Sequence, residues 1–187
     1  MSVATPQVTG HPFTGTFAAD PVHSSVEFAV RHMKVSLFRA WFDDVDARLV
    51  ADEHGLRLDG AARVESVSIK SPKEFRDHVV HGAEFFDAGN HPEITVRSEE
   101  IHLGEDGTAT GHGELTIRGV TRPVTATGTY QAPVEDPYGS LRGALELTAT
   151  VDRRDWGMDW QAPLPAGGDA LGYEVQLSVH LELVKEA

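Results

Sequence analysis

The chain has no cysteine among its 187 residues. Disulfides, thiolate metal sites and cysteine nucleophiles are therefore excluded, and the redox compartment stays open. Basic residues are scarce: 16 Lys and Arg stand against 29 Asp and Glu, a formal charge of -13 at pH 7. A nucleic-acid binder needs basic surface to neutralise phosphates, so no nucleic acid is expected as a partner. The same balance argues against docking on an anionic bilayer by charge alone. No apolar run approaches the roughly 20 residues that a helix needs to span a bilayer, so no integral membrane segment is expected. Motifs of chemistry are missing too. There is no G-x-S-x-G elbow, and no Gly-rich phosphate loop, H-E-x-x-H or EF-hand pattern.

The first ten residues, Met1 to Gly10, contain neither a basic n-region nor an apolar h-region. They read as a loose leader, taken as residues 1–13, before a single domain over 14–187. Cytoplasmic residence is the expectation that follows.

What is present is alternation. Val26, Phe28, Val30 and His32 share one face of a strand, with Glu27 and Arg31 on the other. Phe38 to Val50 reads as one long strand whose phase slips at Asp43-Asp44, the mark of a bulge. Tyr173, Val175, Leu177, Val179, Leu181 and Leu183 point one way, with Glu174, Gln176, Ser178, His180 and Glu182 opposed. Glu105-Asp106-Gly107 signals a hairpin. Ser71-Pro72-Lys73-Glu74 predicts a helix with Ser71 as N-cap, running to about His81 and stopped by Gly82. About eight or nine strands and one helix result. Strands this long with one apolar face close naturally into an antiparallel barrel. Several inward residues are small (Ala40, Ala126, Gly128, Gly143 and Ala149), which favours a barrel with room for a ligand.

Six motifs in order resemble the YceI-like family of lipocalin-like, polyisoprenoid-binding barrels. Asp20-Pro21-Val22-His23-Ser24-Ser25-Val26-Glu27-Phe28 is similar to its D-x-x-H-S-x-V-x-F. Ser68-Ile69, Arg76-Asp77, Phe85-Phe86-Asp87 and His91-Pro92 follow. Leu115-Thr116-Ile117-Arg118-Gly119-Val120-Thr121-Arg122-Pro123-Val124 resembles L-T-I-x-G-V-T-[RK]-P-V, and Arg153 to Met158 resembles R-x-D-[FW]-G-[ML]. In the signature, Gly119 marks a hairpin corner, and Pro123 should sit near a strand end or bulge.

The resemblance implies an extended eight-stranded barrel with one short helix that binds, carries or stores a long-chain isoprenoid lipid, such as a prenyl quinone or prenyl diphosphate. Phe28, Val30, Phe38, Phe42, Leu145, Leu147, Val175, Leu177 and Val179 would line the tunnel. Phe85 and Phe86 would guard its mouth, His32 would meet the head group, and the loop after Arg153 and Trp156 is a second candidate mouth. No cofactor, metal or catalytic residue is expected, and pairing with a second copy of the chain is left open. Two other classes are weighed. One is an enzyme on a hydrophobic substrate with His32 as acid or base. The other is a haem or metal barrel using His23, His32, or the pair His78 and His81 with His91 nearby. Arg153-Arg154 could meet a diphosphate, but Asp152 and Asp155 beside them favour local salt bridges.

Overall fold

The computed structural model describes residues 11–187. The strands are β1 (Gly15–Ala19), β2 (Ser25–His32), β3 (Ser36–Phe42), β4 (Val45–Asp52) and β5 (Gly55–Arg63). After the helix α1 (Lys73–His81) come β6 (Glu93–Leu103), β7 (Thr108–Ile117), β8 (Val120–Glu135), β9 (Leu141–Asp152) and β10 (Leu171–Lys185). The order β1-β4-β5-β6-β7-β8-β9-β10 closes on itself because β10 also pairs with β1. All pairings in this ring are antiparallel, so the eight strands form a barrel without a free seam. Among the described residues no helix is long and apolar enough to cross a membrane.

The ring is splayed at one end. The long strand β10 holds β1 against residues 183–185, and β2 against residues between 171 and 180 on the same edge. β3 then pairs outside β2. The expected long strand from Phe38 to Val50 is accordingly two strands, β3 and β4, broken at Asp43-Asp44. The phase slip marks a change of partner: β4 joins β1 and β5, while β3 joins β2. The helix stands over the splayed end, with the Phe75 ring edge-on to Phe38 at 5.7 Å between centroids.

At the opposite end the barrel is plugged. Phe13 is 1% exposed, packs edge-on against Phe17 at 5.2 Å and leans on Tyr130 at 6.4 Å. This residue of the expected leader belongs to the core; residues 1–10 lie outside the described residues. Leu49, Leu145 and Leu183 are buried in the same cluster.

One local expectation is corrected. Pro72, and not Ser71, is the N-cap of α1, and no side chain caps that end. Gly82 does end the helix, but at φ -62. A Cβ there would stand 2.3 Å from the His78 carbonyl oxygen, so close approach, not left-handed backbone, demands glycine. Pro123 lies opposite Glu114 near the start of β8. Arg118 (φ 52) and Gly119 (φ 71) make the two-residue turn before it. Counting back from that turn makes Glu114 and Pro123 a non-hydrogen-bonded pair, so the ladder loses nothing to the missing N–H.

Candidate functional site

The inward faces enclose a cavity of about 670 Å³ that opens at the splayed end. That volume lies within the range of roughly 300–1,000 Å³ common for small-molecule sites. Its wall is almost wholly apolar. Phe38, Phe28, Phe42 and Phe86 run inward from the mouth with ring centroids 5.7–6.2 Å apart. Leu177, Val179, Leu147, Val175 and Val30 come from β10, β9 and β2, where strict alternation aims every second residue inward.

Of the residues predicted for the site, Phe28, Val30, His32, Phe38, Phe42, Phe85, Phe86, Leu147, Trp156, Val175, Leu177 and Val179 all line this cavity. Leu145 does not. It shares the phase of Leu147 but lies farther along β9, 2% exposed in the plugged end with Phe13 and Leu183. The two candidate mouths are one: the Phe85 ring meets Trp160 at 5.5 Å and His78 at 5.0 Å, which joins the helix side to the loop after Trp156. Trp156 itself is buried, its indole N–H donating to the Leu115 carbonyl at 3.2 Å.

The small residues divide by role. Ala126 and Ala149 line the cavity, whereas Ala40 is packed in the core. Gly128 and Gly143 make no room for a ligand. A Cβ on Gly128 would fall 1.9 Å from the Glu146 oxygen, and one on Gly143 would fall 2.7 Å from the Phe13 ring. The space comes instead from Ala47 and the run Gly60-Ala61-Ala62 on β4 and β5. Three small residues in succession inside a strand were the signal for it. Phe75, Val79 and Trp160 also belong to the wall. Phe75 and Val79 were readable as one helix face, but no periodicity marks Trp160, which stands in a loop.

The cationic residues of the motifs hold loops. Arg118 donates to the carbonyls of Ala83 and Gly157, the latter at 2.7 Å, and Arg122 donates to Asp155 O at 3.1 Å. Arg154 takes the expected salt bridge, 2.5 Å to Asp152, whose carboxyl is thereby lowered to about 2. Arg153 behaves otherwise. It is 4% exposed, on the cavity wall, and donates to the carbonyls of Gly172 (2.8 Å), Met158, Trp160 (2.9 Å) and Leu171 (3.3 Å). Its guanidinium also lies 4.7 Å from the Tyr173 ring centre. Burial presses its pKa below the ordinary guanidinium value.

The histidines separate. His32 is exposed at the rim, and His78 stands in the ring cluster with Glu84 at 3.8 Å. His81 turns to Glu65 at 3.2 Å. His23 lies far from the mouth, toward the plugged end, with Asp20 (3.2 Å) and Glu182 (3.8 Å). Those three are the one grouping of His and carboxylates with metal-ligand spacing among the described residues. Arg142 already occupies it, bonded to Asp20 at 2.8 Å, Glu182 at 2.6 Å and Asp136 at 2.7 Å. Arg142 draws the Asp20 carboxyl down to about 2. Ser24 is buried and exchanges hydrogen bonds with the Glu182 backbone at 3.2 and 3.4 Å, a structural tie between β2 and β10.

Fold and cavity together define an antiparallel eight-stranded barrel closed around an apolar cavity. The model of the YceI-like domain matches residues 17–183, and the chain belongs to that family. UPF0312 protein SA2479 of Staphylococcus aureus is 28% identical over 168 residues, covering 89% of this chain and 95% of that protein. BcnA of Burkholderia cenocepacia superposes with a TM-score of 0.68 at 21% identity, over 90% of this chain and 99% of the other. A polyisoprenoid binding domain from Saccharophagus degradans, described as implicated in plant cell wall breakdown, gives 0.61 at 11% identity, over 91% and 98%. At these identities the two structures speak to fold.

Proposed function

We propose that this barrel binds and carries a polyisoprenoid lipid, a prenyl quinone or prenyl diphosphate, with its tail in the cavity and its head at the mouth. The observation that carries the reading is the apolar cavity of about 670 Å³, open at one end and plugged by Phe13 and Phe17 at the other. A methylene moved from water into such a wall gains roughly 0.8 kcal/mol, so about ten buried carbons supply on the order of 8 kcal/mol before ordering costs. Side chains that only shape and desolvate suffice for this; binding asks for no general acid, nucleophile or metal. The Saccharophagus domain of like fold, named for polyisoprenoid binding, supports the choice of lipid class.

The test is mass spectrometry of an organic extract of freshly purified protein, followed by titration of the delipidated protein with a prenyl quinone. A prenyl lipid in the extract and saturable uptake are expected. An extract without lipid, together with no uptake by the folded protein, overturns the reading.

A further inference from the structure

The chain carries 29 acidic residues against 16 Lys and Arg, yet among the described residues not one carboxylate lines the cavity. The ionisable groups on its wall are His32, His78 and Arg153. They are gathered at one end. His32 pairs across the sheet with Leu171. The Leu171 carbonyl accepts from Arg153 at 3.3 Å, as does the Trp160 carbonyl at 2.9 Å. The Trp160 ring then meets His78 at 6.1 Å. A single chain of contacts thus links all three groups around the mouth.

Arg153 gives this collar its sign. Its four carbonyl partners use four of the five N–H donors of a guanidinium. Carbonyl dipoles solvate the cation without cancelling its charge. The nearest acid in sequence, Asp152, is engaged by Arg154 at 2.5 Å. Glu84 faces His78 from outside the cavity wall, 3.8 Å away. Asp152 and Asp159 act on Arg153 through space, but no carboxylate among the described residues bonds it. A buried cation held by carbonyls alone keeps a positive potential at the mouth, and low surrounding polarity lengthens its reach.

From this we propose that the mouth selects lipids by head-group charge, taking acidic heads (phosphate or carboxylate) in preference to neutral ones and rejecting cationic amphiphiles. The inference rests on the reading of the cavity as a lipid site. An acidic head gains attraction from Arg153 and meets no like charge on the wall. A protonated amine would lose hydration and gain no counter-ion.

The experiment holds the tail constant and varies the head: farnesyl diphosphate, farnesoic acid, farnesol and farnesylamine, titrated into delipidated protein and read by tryptophan fluorescence. Both acids should bind at least tenfold more tightly than the amine, with the alcohol between. Similar affinity for the two acids would show that charge is read; preference for the diphosphate alone would narrow the acidic class to phosphates. Arg153→Gln should compress the order toward that of the neutral alcohol. If that variant does not fold, the wild-type order decides alone. Equal binding of amine and acids, or tighter binding of the amine, overturns the charge selection while leaving the lipid cavity standing. Binding of none of the four overturns the cavity reading and this inference with it.

Discussion

Replacing Val30 by Trp distinguishes a ligand cavity from a packed interior. Val30 is 6% exposed and faces the cavity, with Val175 opposite on one side and Phe38 on the other. If the interior were close-packed, forcing an indole into it would cost roughly 1–3 kcal/mol. For a domain of this size that lowers the melting temperature by about 2–12 °C. The cavity of about 670 Å³ offers the ring a place to go. The variant should therefore melt within about 3 °C of the wild type. Its ligand should suffer instead. Trp brings about seven more non-hydrogen atoms than Val, and at about 0.8 kcal/mol per displaced methylene the lost contact is worth at most about 6 kcal/mol. A tail that recoils into the remaining space keeps part of this, so the expected loss is at least about 1.4 kcal/mol, or tenfold in affinity. Arg31→Trp, on the exposed face of the same strand, should change neither property appreciably. The assays are thermal melting by circular dichroism and titration with a prenyl quinone. A strongly destabilised Val30→Trp refutes the empty cavity at this position. A well-folded Val30→Trp with undiminished binding refutes the placement of the lipid.

Three further outcomes are expected. Asp20 has a folded pKa of about 2, below the ordinary 3.8, chiefly because Arg142 donates to it. Its stabilisation is therefore full above pH 4 and drains away as pH falls through 2, so urea midpoints measured from pH 6 to pH 2 should fall less steeply in Arg142→Met; an unchanged slope would deny the coupling. Gly143→Ala should lower stability by about 1–3 kcal/mol because its Cβ meets the buried Phe13 ring, while Gly89→Ala, with nothing within 4 Å, should be nearly neutral; denaturant melts of the pair check this. Exhaustive chelation should leave both circular dichroism and lipid uptake unchanged, and loss of uptake together with a stoichiometric metal would contradict a site built of apolar wall.

Periodicity of two carried most of the architecture. Val26, Phe28 and Val30, or the run from Tyr173 to Leu183, can alternate in this way only as strands with one buried face. Phase, however, says nothing about depth. Leu145 and Leu147 are equivalent in period, yet one fills the plug and the other meets the cavity. Nor does it name partners: the slip at Asp43-Asp44 was visible, but its meaning as a switch from β2 to β1 and β5 depends on residues far away in sequence. Glycine was ambiguous for a different reason. Gly128 and Gly143 look like space-makers, and are required because backbone or ring approaches them closely. Arg153 beside Asp152 suggested a salt bridge, but neighbours in sequence point apart, and the folded loops offered carbonyls instead. Trp160 and His78 meet only through the fold, so nothing in their spacing announced the mouth.

The seam between β1 and β10 sets the order in which this molecule can be made. Phe17 lies opposite Lys185, Ala18 opposite Val184 and Ala19 opposite Leu183, so the ring shuts through contacts that span nearly the whole chain. Such distant pairings are slow to form and cannot begin before the last strand has been synthesised. Until then the inner faces of the earlier strands form an open trough. A chain ending at Leu181 would still contain every residue that lines the cavity, yet would lack the three pairs that turn a curved sheet into a closed vessel.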